Sequence, residues 1–175
     1  LLLAASPEHE VAIWCQFEEN QLEMVKHREN TKYLPGVTIP DKVRVTADFA
    51  EAADADVFVI AVPTIYLADT LSRLEPTWPK NAPVVSVVKG MEQGSFRSPS
   101  QIISQVLQVG SVAALSGPSH AEEIARGMPA SVVCASGNLS LAESVQQWFS
   151  NDRFRVYTSH DLLGTELAGA MKNVV

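Results

Sequence analysis

The sequence has no apolar stretch long enough to cross a membrane. A membrane-spanning helix needs roughly 18 or more consecutive apolar residues, and every apolar run here is much shorter. The opening stretch LLLAAS is short and has no basic residues before it, so we do not expect it to be a secretory signal peptide. We therefore expect a soluble globular chain whose 175 residues form one domain, or one domain with the edge of another.

Clusters of basic residues are missing as well. The chain has 13 Lys and Arg against 20 Asp and Glu, which gives a net charge of −7 and a pI near 5.0. Proteins that bind nucleic acid use grouped lysines and arginines to contact the phosphates. The composition excludes that class of partner. A small anionic substrate is still compatible with it, because such a ligand needs only two or three well-placed cations.

Cysteine is scarce, and the two that occur are far apart. Cys15 and Cys134 each lie in a strand-like apolar run without a CxxC pattern or a nearby histidine. They are typical of small core residues, so we expect a reducing compartment, the cytoplasm, with no disulfide and no zinc site. The four histidines have no Ser and Asp partners at a triad spacing, and the carboxylates are scattered. No metal is expected.

Short apolar, β-branched runs recur and alternate with helical patterns. Several runs are apolar at every position, which is typical of strands buried on both faces of a parallel sheet. The pattern predicts strands over 11–14, 43–45, 56–62, 83–89, 111–117, 130–136 and 154–159, and helices over 17–29, 64–74, 98–107, 141–149 and from 161 onwards. This order predicts an α/β fold of the doubly wound, Rossmann-like kind with a mostly parallel sheet.

Two stretches near the start carry weaker patterns. Residues 31–41 contain Pro35-Gly36 and Pro40 and are predicted to be irregular. In the helix over 17–29, the spacing of Leu22, Met24 and Val25 predicts that Leu22 lies in the core.

The segment SGPSHAEEIARG, residues 116–127, places a glycine turn between a predicted strand and an acidic helix. Gly117 permits a sharp turn, Pro118 favours a first helical turn, and Ser119 offers a hydroxyl and an N–H group. Free N–H groups at a helix start attract anions and carbonyl oxygens. The alternative is an ordinary capped turn in which Glu122 and Glu123 balance the helix dipole.

Two lysines occupy positions that are suited to a catalytic role. Lys89 closes an apolar strand, and Gly90 follows it, so its ammonium group can project from the carboxyl edge of the sheet. Lys172 lies on the helical face of Thr165, Ala168 and Gly169, whose small side chains allow close approach. A lysine that burial partly desolvates has a lowered pKa and can act as an acid or base. The alternative for both is a solvated lysine at the end of a strand or helix.

Five segments together resemble the NAD(P)-dependent sn-glycerol-3-phosphate dehydrogenases: YLPG, DADVFVIAVPT, SVVKGME, SGPSHAEEIARGMPASVV and FRVYTSHDLLGTELAGAMKNVV. The resemblance extends from His9 to Val175, and the combination of KG, GPS-A-E and AMKNVV is highly specific. It implies a dinucleotide-binding domain over residues 1–160 and the first helix of a helical substrate domain over 161–175. It also implies interconversion of dihydroxyacetone phosphate and sn-glycerol 3-phosphate, which supplies phospholipid synthesis.

The resemblance further assigns roles to individual residues. Lys172 matches the family lysine that exchanges a proton with the C2 oxygen, and Lys89 matches the second active-site lysine. The remaining implied positions are Asn173 beside the catalytic lysine, Gly117 and Ser119 (with both lysines) against the substrate, and Gln16, Phe17, Pro63, Tyr66, Lys89 and Ala121 near the cofactor. A small phosphate substrate is the implied partner, and a homodimer is compatible with the resemblance.

The cofactor implied is NAD or NADP. Many bacterial members have an arginine at the position of Gln16, where it suits the 2′-phosphate of NADP. Here Gln16 is followed by Phe17 and the acidic pair Glu18 and Glu19, which favours NAD.

One family feature is missing, because none of the nine glycines forms a GxG pair. We therefore expect the chain to lack the first strand with its GxGxxG turn and most of the substrate domain, and to be inactive alone. Two alternatives remain at this stage. One is another lysine-using, two-domain dehydrogenase of the hydroxyacid or ketopantoate reductase type, and the other is a degenerate, non-catalytic binding module.

Overall fold

A computed structural model describes residues 1–172 and divides the chain into two compact units. The first unit comprises Leu1–Asp54 and His120–Pro129, and the second comprises Ala55–Ser119 and the chain from Ala130 onwards. Within the described residues, none of the helices combines the length and the apolar character that a membrane crossing requires.

The first unit contains short elements around a small core. These are α1 (Leu2–Ala5), β1 (Ala12–Trp14), α2 (Glu18–His27), β2 (Glu29–Asn30), β3 (Leu34–Thr38), β4 (Arg44–Thr46), a 3₁₀ turn (Phe49–Ala52) and α5 (Ala121–Ala125). Strands β1 and β4 pair in parallel, and β2 pairs with β3 antiparallel. Ala4, Cys15, Ile39, Val43 and Val45 form the core of this unit.

Two predictions for the first unit were wrong. The stretch 31–41 was expected to be irregular, but it contains strand β3, with Gly36 at a φ of 77°. Arg28 holds the segment that follows, because its guanidinium donates to the carbonyl oxygens of Ile39, Pro40 and Val43. Leu22 was expected in the core, but its side chain is 57% exposed, and α2 buries none of its residues. The few apolar residues of α2 do not form a buried face, and of these Met24 packs only partly buried against the core.

The second unit is a five-stranded sheet with helices. Its elements are β5 (Phe58–Ile60), α3 (Thr64–Leu74), a 3₁₀ turn (Glu75–Thr77), β6 (Val84–Ser86), α4 (Pro99–Leu107), β7 (Val112–Ser116), β8 (Ala130–Ser136), α6 (Leu139–Phe149), β9 (Phe154–Ser159) and α7 (Leu162–Met171). The strand order is β5-β6-β7-β8-β9, and only the β7–β8 pairing is antiparallel. The expected α/β fold with a mostly parallel sheet is confirmed.

The sequence explains why these elements form. Every residue of β6 and β7 is buried, as the continuously apolar runs predicted. Helices α3 and α4 bury one face each, and Leu67, Leu71, Ile102 and Ile103 are completely enclosed. Such apolar burial is worth roughly 1.5–3 kcal/mol for each large aliphatic side chain.

Polar side chains define where the helices begin. Ser98 accepts a hydrogen bond from the N–H of Gln101, and the Gln101 side chain accepts one from the N–H of Ser98, which completes a capping box before α4. Asn138 caps α6, and Asp161 caps α7 by accepting from the N–H of Gly164 at 2.8 Å. Each cap satisfies backbone donors that would otherwise lack partners at a helix start.

Candidate active site

Strands β5, β6 and β7 are parallel, so their carboxyl ends lie at the same edge of the sheet. We name this the carboxyl edge. Beyond β6 the chain leads to Lys89, beyond β7 it leads to Gly117 and Ser119, and beyond β5 it leads to Pro63 and the start of α3. Ligands of open α/β sheets bind at such an edge. Four of the residues predicted from the sequence are therefore brought to one place.

Lys89 connects two of the loops at the carboxyl edge. Its Nζ donates to the carbonyl oxygens of Gly117 and Ser119, both at 3.0 Å, and lies 3.4 Å from the Ser119 hydroxyl oxygen. Burial lowers the pKa of the Lys89 ammonium, and the positive charge of Lys172 lowers it further. Lys89 is thus a half-buried cation whose proton is less tightly held than that of an exposed lysine.

Gly117 is required by the close approach of β8. A Cβ atom at this position would lie 2.9 Å from the Cα of Val132 and 3.0 Å from the carbonyl oxygen of Ser131. Those distances are well inside van der Waals contact, so a side chain would force the two strands apart. The turn also directs the Gly117 carbonyl oxygen to Lys89, and the same oxygen accepts from the N–H of Ser119 at 2.8 Å.

Thr64 was not predicted as a site residue. It is the first residue of α3, and its hydroxyl donates to the carbonyl oxygen of Lys89 at 3.0 Å. Gly90 has a φ of 116°, and a Cβ there would lie 3.1 Å from the Thr64 hydroxyl oxygen. A threonine directly after Val-Pro at a strand end was the only signal in the sequence. Thr64 fixes the loop that carries Lys89.

Lys172 follows the last residue of α7 and is half-buried. Its charge acts on Lys89, so the helix and the loop after β6 bring the two predicted catalytic lysines close enough for their charges to interact. Asn173, the neighbour implied by the resemblance, lies outside the described residues.

An exposed apolar surface begins beside the lysine pair. Pro63 precedes α3, and the side chains of Ile65 and Tyr66 in its first turn are 69% and 58% exposed. Large apolar side chains exposed together usually mark a binding surface. Their position at the carboxyl edge fits a flat, partly apolar ring such as that of a nicotinamide, so the residues present are compatible with a dinucleotide cofactor.

The first unit carries the other predicted cofactor residues. Gln16 and Phe17 follow the carboxyl end of β1, where Phe17 precedes α2 and is 60% exposed. Ala121 is the exposed first residue of α5. Glu18 and Glu19 occupy the first turn of α2. Their roles stay predictions. Across residues 1–172, no group of His, Cys, Asp and Glu side chains is arranged to hold a metal ion.

A doubly wound sheet with lysines and a tight glycine turn at its carboxyl edge defines the class of dinucleotide-binding α/β proteins. Residues 2–142 match the family model described as NAD-dependent glycerol-3-phosphate dehydrogenase N-terminus. The chain belongs to this family. The membership removes the alternative of a hydroxyacid or ketopantoate reductase.

Two curated relatives illustrate the match. The chain is 40% identical over 167 residues to glycerol-3-phosphate dehydrogenase [NAD(P)+] of Desulfitobacterium hafniense, which covers 95% of this chain and 47% of the relative. It is 40% identical over 178 residues to the protein of the same name from Prosthecochloris aestuarii, covering 99% of this chain and 54% of the relative. The chain thus spans about half the length of the curated relatives it matches.

Solved structures show the same relationship. The glycerol-3-phosphate dehydrogenase of Coxiella burnetii superimposes with a TM-score of 0.91 at 28% identity, over 99% of this chain and 53% of that one. The Saccharomyces cerevisiae enzyme superimposes with a TM-score of 0.85 at 25% identity, over 99% of this chain and 54% of that one. The fold described above is therefore that of the corresponding half of these dehydrogenases.

Proposed function

We propose that this protein interconverts dihydroxyacetone phosphate and sn-glycerol 3-phosphate with NAD(P)(H) and so supplies glycerol 3-phosphate for phospholipid synthesis. The observation that carries the proposal is the lysine pair at the carboxyl edge, where burial and, after it, the positive charge of Lys172 lower the pKa of Lys89. The family membership and the names of the relatives support the same reaction.

The two lysines act in different roles on the same substrate atom, the C2 oxygen. Lys172 holds the proton that passes to and from the C2 oxygen, as a general acid and base. Lys89 carries a second positive charge that stabilises the negative charge developing on that oxygen. Its bonds to the carbonyl oxygens of Gly117 and Ser119 hold its ammonium group in a fixed position before substrate arrives. Asn173 is proposed to assist Lys172.

The cofactor supplies the hydride when it is bound. Pro63, Tyr66 and Lys89 in the second unit are proposed to contact it, and Gln16, Phe17 and Ala121 are the proposed contacts from the first. Glu18 and Glu19 place two carboxylates in the first turn of α2. Like charges repel the 2′-phosphate that distinguishes NADP, so we propose NAD as the preferred cofactor.

The proposal includes the setting in which the protein works. Residues 1–160 act as the dinucleotide-binding domain, and residues 161–175 form the first helix of a helical substrate domain. The protein acts in the cytoplasm on a small substrate that carries a phosphate group, it has no nucleic-acid partner, and a homodimer is compatible with this setting. The buried, free thiols of Cys15 and Cys134 support a reducing compartment.

The test compares Lys172→Met with Lys80→Met in protein expressed from the complete reading frame. Lys80 is exposed and lies before β6, at the edge of the sheet opposite to Lys89. NADH oxidation in the presence of dihydroxyacetone phosphate is followed by absorbance. Loss of general acid–base help should lower kcat on the order of 10²-fold or more in Lys172→Met, and Lys80→Met should match the parent. Failure of the parent protein to reduce dihydroxyacetone phosphate would contradict the proposed function.

A further inference from the structure

Among the residues of α7, all of which the structure describes, only Glu166 is buried, although the rest of that helix is apolar or small. Only 4% of Glu166 is exposed. One carboxyl oxygen accepts from the N–H of Ser100 at 2.8 Å, and the other accepts from the Ser100 hydroxyl at 2.6 Å. Ser100 lies in the first turn of α4, so these bonds join α7 to the start of another helix.

The first turn of α4 is suited to hold a carboxyl group. Free N–H groups and the positive end of the helix dipole favour a negative group there. The Ser100 hydroxyl also lies 3.0 Å from the hydroxyl of Ser98, the residue that caps α4. A carboxyl group buried without such partners would be strongly destabilising. Glu166 therefore restricts α7 to a position in which both carboxyl oxygens reach Ser100.

A second contact limits the position of α7 along the sheet. A Cβ atom on Gly169 would collide with the hydroxyl oxygen of Ser116, the last residue of β7. The helix backbone therefore approaches the carboxyl end of β7 closely at Gly169. Lys172 is three residues further on, about one helical turn, and lies on the same face of the helix.

We propose that Glu166 is a positioning residue, which docks α7 on the first turn of α4 and thereby places Lys172 beside Lys89. The proposal rests on the proposed function for the role of Lys172 in proton transfer. The placement of Lys172, in contrast, can be measured without any enzymatic activity, because burial lowers the pKa of Lys89 and the charge of Lys172 lowers it further.

The first experiment measures the pKa of Lys89 in the chain. Competitive acetylation over a range of pH, read by mass spectrometry, gives the titration of Lys89 against exposed lysines. Lys172→Met provides the reference, in which the pKa of Lys89 should rise. The test variants are Glu166→Ala and the milder Ser100→Ala, and Ser100→Thr restores a hydroxyl. Circular dichroism verifies that each variant is folded.

The matched control is Glu143→Ala. Glu143 is exposed on α6, so the same helix-favouring substitution removes a carboxyl group without a buried contact. We expect Lys89 to titrate in Glu166→Ala as it does in Lys172→Met, and in Ser100→Ala, which keeps the bond from the Ser100 N–H to Glu166, between Lys172→Met and the parent. Ser100→Thr and Glu143→Ala should resemble the parent. An unchanged Lys89 titration in Glu166→Ala, which loses both bonds to Ser100, would overturn the proposal, and so would an unchanged titration in Lys172→Met.

Kinetics of protein from the complete reading frame separate a positioning role from a merely structural one. A displaced Lys172 should lower kcat about tenfold or more, since one misplaced catalytic group costs that much, and should change KM for the nicotinamide cofactor little. Equal kcat in Ser100→Ala and Ser100→Thr would overturn the positioning role. A parent without dehydrogenase activity would refute the proposed function. The Lys89 titration would still test, independently of activity, whether Glu166 docks α7.

Discussion

Replacing Gly117 with alanine should destabilise the chain through a collision that cannot relax. The new Cβ would lie 2.9 Å from the Cα of Val132 and 3.0 Å from the carbonyl oxygen of Ser131, and both are backbone atoms of β8. A crowded core site of this kind costs about 1–3 kcal/mol of unfolding free energy. At about 2–4 °C per kcal/mol for a domain of this size, Tm should fall by about 2–12 °C.

A control variant and a double variant test this prediction. Gly137→Ala adds the same methyl group at a site with no atom within 4 Å, and should change stability by about 0.5 kcal/mol or less. Val132→Ala removes the Cγ1 contact at 3.1 Å but leaves the backbone contacts. It also empties a buried site and lowers Tm by itself, so the comparison is between backgrounds: Gly117→Ala should lower Tm less relative to Val132→Ala than it does relative to the parent, but should still lower it. Thermal unfolding followed by circular dichroism is the assay. Equal Tm values for Gly117→Ala and Gly137→Ala would refute the steric argument.

Two further predictions follow from perturbed pKa values. Burial raises the pKa of the Cys134 thiol to about 12, so iodoacetamide at mildly alkaline pH should modify Cys134 only when urea unfolds the chain. Mass spectrometry of native and unfolded samples measures the modification. Rapid labelling of Cys134 in the native sample would contradict the prediction. For Lys89 the folded pKa lies below the ordinary 10.5, so the folded state binds fewer protons than the unfolded state between those two values, and stability there rises with pH. Relative to Lys89→Met, the parent should therefore gain in Tm from about pH 7 to about pH 10; a falling or constant difference would show that the pKa is not lowered.

Local patterns in the sequence were sufficient for most of the second unit. Continuous apolar runs predicted β6 and β7, and the Ser-Pro-Ser start predicted α4, because burial on both faces and helix capping each leave a short-range pattern. The same rules failed for Leu22, where a few apolar residues in α2 do not form a buried face. Strand β3 was missed because a Pro-Gly pair is typical of a turn and because its partner strand, β2, is only 2 residues long.

The residues of the candidate site also fall into those that the sequence predicted and those that it did not. Lys89 and Gly117 were predictable because each follows a strand, and parallel strands bring their carboxyl ends together. Thr64 and Glu166 were not, because their partners lie 25 and 66 residues away in the sequence. A threonine after proline and a single acid in an apolar helix are frequent in proteins. Only the tertiary contacts distinguish them from ordinary capping or surface residues.

Because β8 runs antiparallel to β7, the two edges of the sheet should differ in how well they tolerate inserted residues. Gly110 precedes β7, and Gly137 follows β8 at the end of the sheet opposite to Lys89. A peptide tag inserted at either glycine would extend a loop away from the lysine pair. Helix α7, in contrast, runs back along β7 until Gly169 meets Ser116. One residue inserted between Glu166 and Lys172 would turn Lys172 by about 100° around the helix relative to the docked carboxyl group, so the length of this part of α7 cannot vary without moving Lys172.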